Sequence, residues 1–200
     1  MPKTVKHDSR RAEVAEAAWR VIARDGVDRT SIRAIAHELG LTTSVITHYF
    51  RDKDELMIFI MNRVMDHASI RTERFAAQAS GLKRFEQIIY GALPTDEKSF
   101  LEWQIWAAFI GHAVGREPLL LEHRKRTELH IQSIASELRT LQESGLIRKR
   151  LDIEAEAACV LALIDGFGVN TVLDRERFGS ESHLKAVKKL IADIISRLTP

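Results

Sequence analysis

Apolar residues recur at three- and four-residue spacing along almost the whole chain, and no stretch alternates with the two-residue period of a half-buried strand. That pattern confines the chain to a packing of helices, the all-α class. Start and stop signals divide the 200 residues into nine helices joined by short loops. Asp8 or Ser9 can cap the first, whose stripe of Val14, Ala17, Ala18, Val21 and Ile22 stops at Gly26. Thr30 or Ser31 opens a short second helix that Gly40 breaks, and Thr42 opens a third from Thr43 to about Tyr49. Asp52, with Glu55 three residues on, predicts a long fourth helix to about Gln78. The Ser80-Gly81 pair separates it from a fifth, Leu82 to Leu93; Pro94 stops that one, and Thr95 is expected to cap a sixth to about Val114. Pro118 suits the first turn of a seventh, ending near Gly145. Asp152 can cap an eighth to about Leu173, and Ser180 a ninth to about Leu198.

Composition removes several classes of function. The segment Met1 to Arg11 is polar and basic, without the apolar core of a secretory signal. Lys3, Lys6, Arg10 and Arg11 make it a basic arm. The longest apolar run considered, Ala157 to Ile164, ends at Asp165, short of the length that crosses a bilayer, so a cytoplasmic location without membrane contact is expected. Cys159 is the only cysteine, which excludes an intramolecular disulfide and a thiolate metal cluster. A net charge of +2 is neutral on the question of nucleic acid. There is no phosphate-cradling glycine loop and no nucleophile elbow, and His37-Glu38-Leu39 lacks the second histidine of a zinc-hydrolase helix. The expectation is a protein without enzymatic activity or cofactor.

Residues 30–56 carry the chemistry: TSIRAIAHELGLTTSVITHYFRDKDEL. Two short capped helices around a glycine turn fit a helix-turn-helix DNA reader or, on spacing alone, a helical hairpin on a protein surface. Ile35, Leu39, Leu41 and Ile46 would lock the two helices together, and Gly40 allows the positive φ of the turn. The third helix is too short to stand alone. Thr42, Thr43, Ser44 and Thr47 give it a hydroxyl-rich face suited to phosphates and base edges, and Ser31 joins the candidate interface.

From about Arg10 to Met61 the chain resembles the TetR-family N-terminal domain, with His48-Tyr49-Phe50 as its aromatic close and Lys53 as the lysine opening the fourth helix. By match of position, the resemblance assigns DNA contacts to Thr30, Thr42, Thr43, Ser44, His48, Tyr49 and Lys53. Tyr49 and Lys53 would hold phosphates, while Thr43, Ser44 and His48 would face bases. Thr47 stands where the family commonly has tyrosine. The string ITHYFRDKDEL is similar to the BetI branch, repressors that respond to choline. FLEWQIWAAFIGHAVGREPLL and AACVLALIDGFGVNTVL, with Leu163 to Gly166 as signature, resemble its C-terminal half. The resemblance implies a DNA-binding domain over residues 1–56 and a ligand-sensing, dimerising domain over 57–200. It also implies release from a pseudo-palindromic operator by a small effector such as choline or a related quaternary amine. A helical adaptor without DNA binding is the rival class.

Trp103, Trp106, Phe109 and Ile110 recur at helical spacing, and Phe167 lies on the eighth helix. These residues are either ordinary core or the walls of a cation–π site for a quaternary ammonium. Asp165 interrupts an apolar helix and needs a partner, an arginine in a structural pair or a cationic ligand. His123 and His130 lie seven apart, with His112 one helix away, but further ligands would be needed for metal; none is expected. The last two helices are apolar on more than one face, the eighth through residues such as Val160, Ile164, Phe167 and Gly168, the ninth through Val187, Leu190, Ile194 and Leu198. Such helices must be buried on more than one face, which predicts a homodimer through a four-helix bundle, with Gly168 as a point of close approach. Which residues meet the partner is left open.

Overall fold

The computed structural model of the chain describes residues 3–26, 29–178 and 181–200, with side chains described from residue 9 onward apart from residues 23, 177, 178 and 181. Among the described residues there is no strand. The helices are α1 (Lys3–Asp25), α2 (Ile32–Glu38), α3 (Thr43–Tyr49), α4 (Lys53–Ala76), α5 (Gly81–Ala92), α6 (Glu97–Ala113), α7 (Glu117–Glu143), α8 (Ile153–Leu173), α9 (Arg175–Phe178) and α10 (Glu181–Leu198). Nine of them answer to the nine expected from the sequence, and α9 is a single added turn between the last two.

Local chemistry explains most boundaries. Ser31 caps α2 by accepting the Ala34 N–H at 3.1 Å, and Asp52 caps α4 by accepting the Glu55 N–H at 2.8 Å. Asp152 does the same for α8 through the Ala155 N–H at 3.1 Å. Three expected starts differ; Thr42 stands at the N-cap of α3 but its side chain makes no cap bond. Asp8 and Ser9 lie inside α1 rather than capping it, since the helix begins at Lys3. Asp96, not Thr95, caps α6, because its carboxylate accepts the Ser99 N–H at 2.7 Å while the Ser99 hydroxyl oxygen accepts the Asp96 N–H at 3.0 Å. A serine in the return position closes the same reciprocal box that glutamate usually closes. The expected cap at Ser180 lies outside the described residues.

The N-terminal unit packs α1, α2 and α3 against the start of α4 around Val14, Ala18, Ile35, Ile46 and Phe50. Arg11 belongs to this packing rather than to a free basic arm. Its guanidinium lies 4.6 Å from the Phe50 ring centre and 4.8 Å from that of Phe59, and it donates to Glu55 at 3.0 Å. Arg10 is paired with Glu13, and the side chains of Lys3 and Lys6 lie outside the described residues. The C-terminal unit lays α5 along α4 and packs α8 against α6 and α7. α10 crosses α5 and is pinned where His183 donates from Nε2 to the Pro94 carbonyl at 2.9 Å. α8 is, contrary to expectation, long and apolar enough to cross a membrane, with 21 residues and a mean hydropathy of 1.5. Only its inner side is buried within the chain, through residues such as Val160, Leu161 and Ile164, while Cys159, Ala162, Leu163 and Gly166 lie exposed.

Candidate functional site

The turn between α2 and α3 is closed by backbone chemistry. Gly40 adopts φ +63°, and the N–H groups of Gly40 and Leu41 donate to the His37 and Ala36 carbonyls at 3.1 and 2.8 Å. This is the paired helix ending that a left-handed glycine permits. α3 has seven residues and cannot hold itself together by propensity. It is anchored instead by Ile46, fully buried, and by Phe50 just past its end. Burial of one such side chain is worth about 2 kcal/mol.

That anchorage turns the opposite side outward. Thr42, Thr43, Ser44, Thr47 and His48 are all exposed, as is Lys53 at the first turn of α4. The Thr42 and Ser44 hydroxyls lie 2.8 Å apart, and Thr47 donates to the Ser44 carbonyl at 3.1 Å. Tyr49 is half-buried, its ring edge-on to His48 at 5.2 Å. Thr30 and Ser31 sit apart from this face in what they do. Thr30 is buried and donates to the Gly26 carbonyl at 3.0 Å, and Ser31 is taken up by the α2 cap. Of the expected residues, Thr42, Thr43, Ser44, Thr47, His48 and Lys53 are thus exposed and Tyr49 half-buried, while Thr30 holds the turn between α1 and α2.

The second feature is a cavity of about 150 Å³ between α4, α6, α7 and α8, closed on one side by α5. Cavities of roughly this size hold a molecule comparable to benzene. Trp103 and Trp106 line it, as the sequence suggested. Phe109 lies one layer behind, stacked on Trp106 with ring centres 6.3 Å apart, and Ile110 packs against the core away from the lining. Phe167 faces the other side of α8, against His183. Helical spacing alone could not separate these positions, because α6 is buried around most of its circumference.

Three charged side chains reach the cavity. Arg71 on α4 pairs with Glu102 on α6 and donates from Nε to the Gly91 carbonyl at 2.8 Å. Asp165 on α8 takes part in no ion pair among the described residues, and burial alone pushes its carboxyl up to about 6. Among the described residues no arginine pairs with it. Burial, with the Arg126 charge close by, lowers His130, which therefore lines the cavity as a neutral imidazole at pH 7. At that pH two carboxylates stand against one guanidinium, so the cavity carries an excess of one negative charge. Trp106 also contacts His123, with ring centres 5.3 Å apart. No group of three His, Cys, Asp or Glu side chains suited to a metal exists among the described residues. Arg71 and Glu102 were missed in the sequence; the available signal was a glutamate set between leucine and tryptophan in an otherwise apolar stretch.

Trp103 is fixed by two constraints. Its indole N–H donates to the Ala92 carbonyl at 2.9 Å, and its ring lies against Gly168 so closely that a Cβ there would fall 2.4 Å from ring carbons. Gly168 therefore serves the tryptophan of its own chain, not the expected approach of a second one. Gly168→Ala is expected to push the ring out of place and destabilise the fold by about 1–3 kcal/mol. Gly111→Ala on α6, where a Cβ meets nothing within 4 Å, should instead gain up to about 1 kcal/mol. Thermal unfolding of the two variants, with tryptophan emission as the probe, checks the contrast.

Comparison with known proteins bears on both features. Residues 14–58 match the model of bacterial regulatory proteins of the tetR family, and residues 82–196 match that of the C-terminal part of BetI-type transcriptional repressors. The chain belongs to the TetR family. Within it, the chain is 31% identical to the HTH-type transcriptional regulator PksA of Bacillus subtilis, over 97% of this chain and 94% of that one. It is 28% identical to the regulator BetI of Burkholderia lata, over 99% and 98%. A transcriptional regulator from Saccharomonospora viridis solved in complex with choline superposes with a TM-score of 0.80 at 27% identity, covering 94% of this chain and 96% of the other. A regulator from Rhodococcus sp. Rha1 reaches the same TM-score at 22% identity, over 95% and 98%.

Proposed function

We propose that this TetR-family transcriptional regulator is a repressor that binds a pseudo-palindromic operator as a homodimer and is released by a small organic cation held in the α4–α8 cavity. The observation that carries the DNA half is the exposed face from Thr42 to Lys53, built on a rigidly anchored α3. One α3 per subunit enters the major groove. Thr43, Ser44 and His48 face base edges, and Lys53 and Tyr49 hold phosphates, assisted by Thr42 and Thr47. Ser31 and Thr30 keep the start of α2 in register. A place in the cytoplasm beside the DNA goes with this reading, and the C-terminal residues from 57 onward then sense and dimerise.

The effector half rests on the cavity's excess negative charge beside two indole rings, an arrangement that favours cations. The choline in the Saccharomonospora relative supports the same class of ligand. α6 links the two halves physically. It carries Trp103 and Trp106 and ends beside Arg116, whose Nη1 donates to Asp54 at 3.1 Å, next to Lys53 on the first turn of α4. A ligand releases the operator only by binding better to the arrangement in which the two readers no longer match the half-sites.

Titration of the DNA upstream of the protein's own gene tests the reading. Lys53→Ala should weaken binding to every duplex and reduce the salt slope by about one unit. Thr43→Ala should chiefly relax sequence preference, by about 1–3 kcal/mol at its base pair. Unchanged affinity and slope in Lys53→Ala would contradict the placement of α3.

A further inference from the structure

Of the residues that line the cavity, two are exposed, Ser69 on α4 and Ser133 on α7. The cavity therefore comes nearest to solvent where these two helices face each other. They run side by side in the same direction, and ion pairs mark the alignment: Asp54 meets Arg116 at 3.1 Å, and Asp66 meets Arg126 at 4.0 Å. At the far end Arg84 of α5 bridges both helices, with Nη2 3.0 Å from Glu73 on α4 and 3.0 Å from Glu137 on α7. Between Arg126 and Arg84, among the described residues, no hydrogen bond or ion pair joins α4 to α7. Packing is thin there as well. α7 buries Leu119 and then nothing until Ile134, and Ile70, next to Ser69, and Leu129, one turn before Ser133, are exposed. α4, by contrast, is fixed on its α5 side, where a Cβ on Gly91 would fall 2.9 Å from the Thr72 Cα. A segment with few buried apolar side chains is where a native fold opens first.

We infer that the effector enters and leaves the cavity through the seam between α4 and α7, and that Arg84 is the strap that holds this seam shut. Opening moves residues 120–133 of α7 away from α4, which α5 holds in place. Arg84 reaches both carboxylates at once, so breaking its contact with Glu137 leaves the guanidinium on Glu73, ready to close again. The contacts broken are solvent-side ones, and their loss is small enough for opening on the timescale of binding. This rests on the cavity as the effector site, but not on the charge of the effector.

Acrylamide quenching of the full chain, with circular dichroism to confirm the fold of each variant, tests the seam without any effector. Trp19→Phe leaves Trp103 and Trp106, both lining the cavity, as the emitters. In that background Arg84→Met, which keeps the stem and loses the charge, is expected to raise the quenching constant about two- to fivefold, the worth of a partly exposed ion pair. Ser133→Leu, which narrows the seam, should lower it. Arg139→Met removes an ion pair with Glu154 on the α8 side of α7 and should leave it alone. Unchanged quenching in Arg84→Met, or an equal rise in Arg139→Met, would overturn the strap, and unchanged quenching in Ser133→Leu would overturn the seam. Stopped-flow mixing with choline, followed by the same emission, adds the kinetics. Arg84→Met should speed association and release by the same factor and leave the affinity within about twofold, since a gate alters rates and not the bound state. Unchanged rates would overturn the gate. No binding of choline at all would count against the cation reading above, and the quenching would then decide the seam by itself.

Discussion

Ala162→Arg is expected to turn the protein into a monomer of 22.7 kDa without unfolding it, and to cost operator binding on the order of 10²- to 10⁴-fold. Ala162 lies on an exposed side of α8 with Cys159, Leu163, Gly166 and Asn170, and beside it Phe167 and Leu190 form a shallow apolar recess between α8 and α10. Leu173 and Leu184 are also exposed, at 76% and 42%. Small residues in the middle and apolar ones around them suit close packing against the same two helices of a second chain. An arginine at this position points into solvent in the single chain, so its fold is untouched, but in a four-helix bundle it becomes an unpaired buried charge. Ile194 is a poorer probe. It is 1% exposed within the chain, and a charge there would break the monomer itself. Sedimentation equilibrium with circular dichroism on Ala162→Arg reads mass and folding together. A persistent dimer would remove the α8–α10 face from the operator-binding assembly.

Asp165→Asn is expected to weaken cation binding strongly at pH 7.5 and, at the same pH, to stabilise the free protein. The two effects have opposite signs because burial holds the carboxyl at about 6, above the 3.8 of an unburied aspartate. A group whose folded pKa is raised takes up protons on folding between those two values, so stability falls as pH rises through the interval. By pH 7 the ionised, unpaired carboxylate costs roughly 2–3 kcal/mol, at 1.36 kcal/mol per unit. Asparagine removes that cost. For the ligand the dependence runs the other way. A cation needs the carboxylate, so its affinity should be flat above pH 6 and fall up to about tenfold per unit below it, a decline absent from Asp165→Asn. The other ionisable groups facing the cavity are Arg71 and Glu102, which are paired with each other, and His130 on α7. Thermal unfolding and calorimetry between pH 5 and 8 check both halves. Lower stability in Asp165→Asn would identify Asp165 as a structural partner instead.

The DNA-reading segment was legible because its determinants are neighbours in sequence. Ser31, Gly40 and Asp52 each act within a few residues of themselves, so spacing alone fixes α2, the turn and the start of α4; Thr42 stands at the head of α3 as expected but makes no side-chain cap bond. The cavity was legible only in fragments. Asp165 stood out as a charge in an apolar helix, and the tryptophans as large rings at helical spacing. What joins them is tertiary: Arg71 meets Glu102 from another helix, and Trp103 meets Gly168 across 65 positions, a separation that no periodicity encodes. Gly168 shows the limit well. A glycine in a buried helix announces a close approach, but not whether a backbone or a ring makes it. Phe109 fails for a related reason, since a helix buried on nearly all sides has no single inner stripe to read. The cap at Asp96 was hidden by chemistry rather than distance, a serine standing where glutamate is the familiar partner.

Fluorescence anisotropy of a labelled duplex from upstream of the protein's own gene, titrated with the full chain at physiological salt and against random DNA, addresses DNA reading by α3 without further assumptions. The expected result is two chains per duplex and binding at least about 10³-fold tighter than to random sequence, with that preference reduced in Thr43→Ala. Equal affinity for the upstream and the random duplex, in a protein that is folded and dimeric, would contradict it.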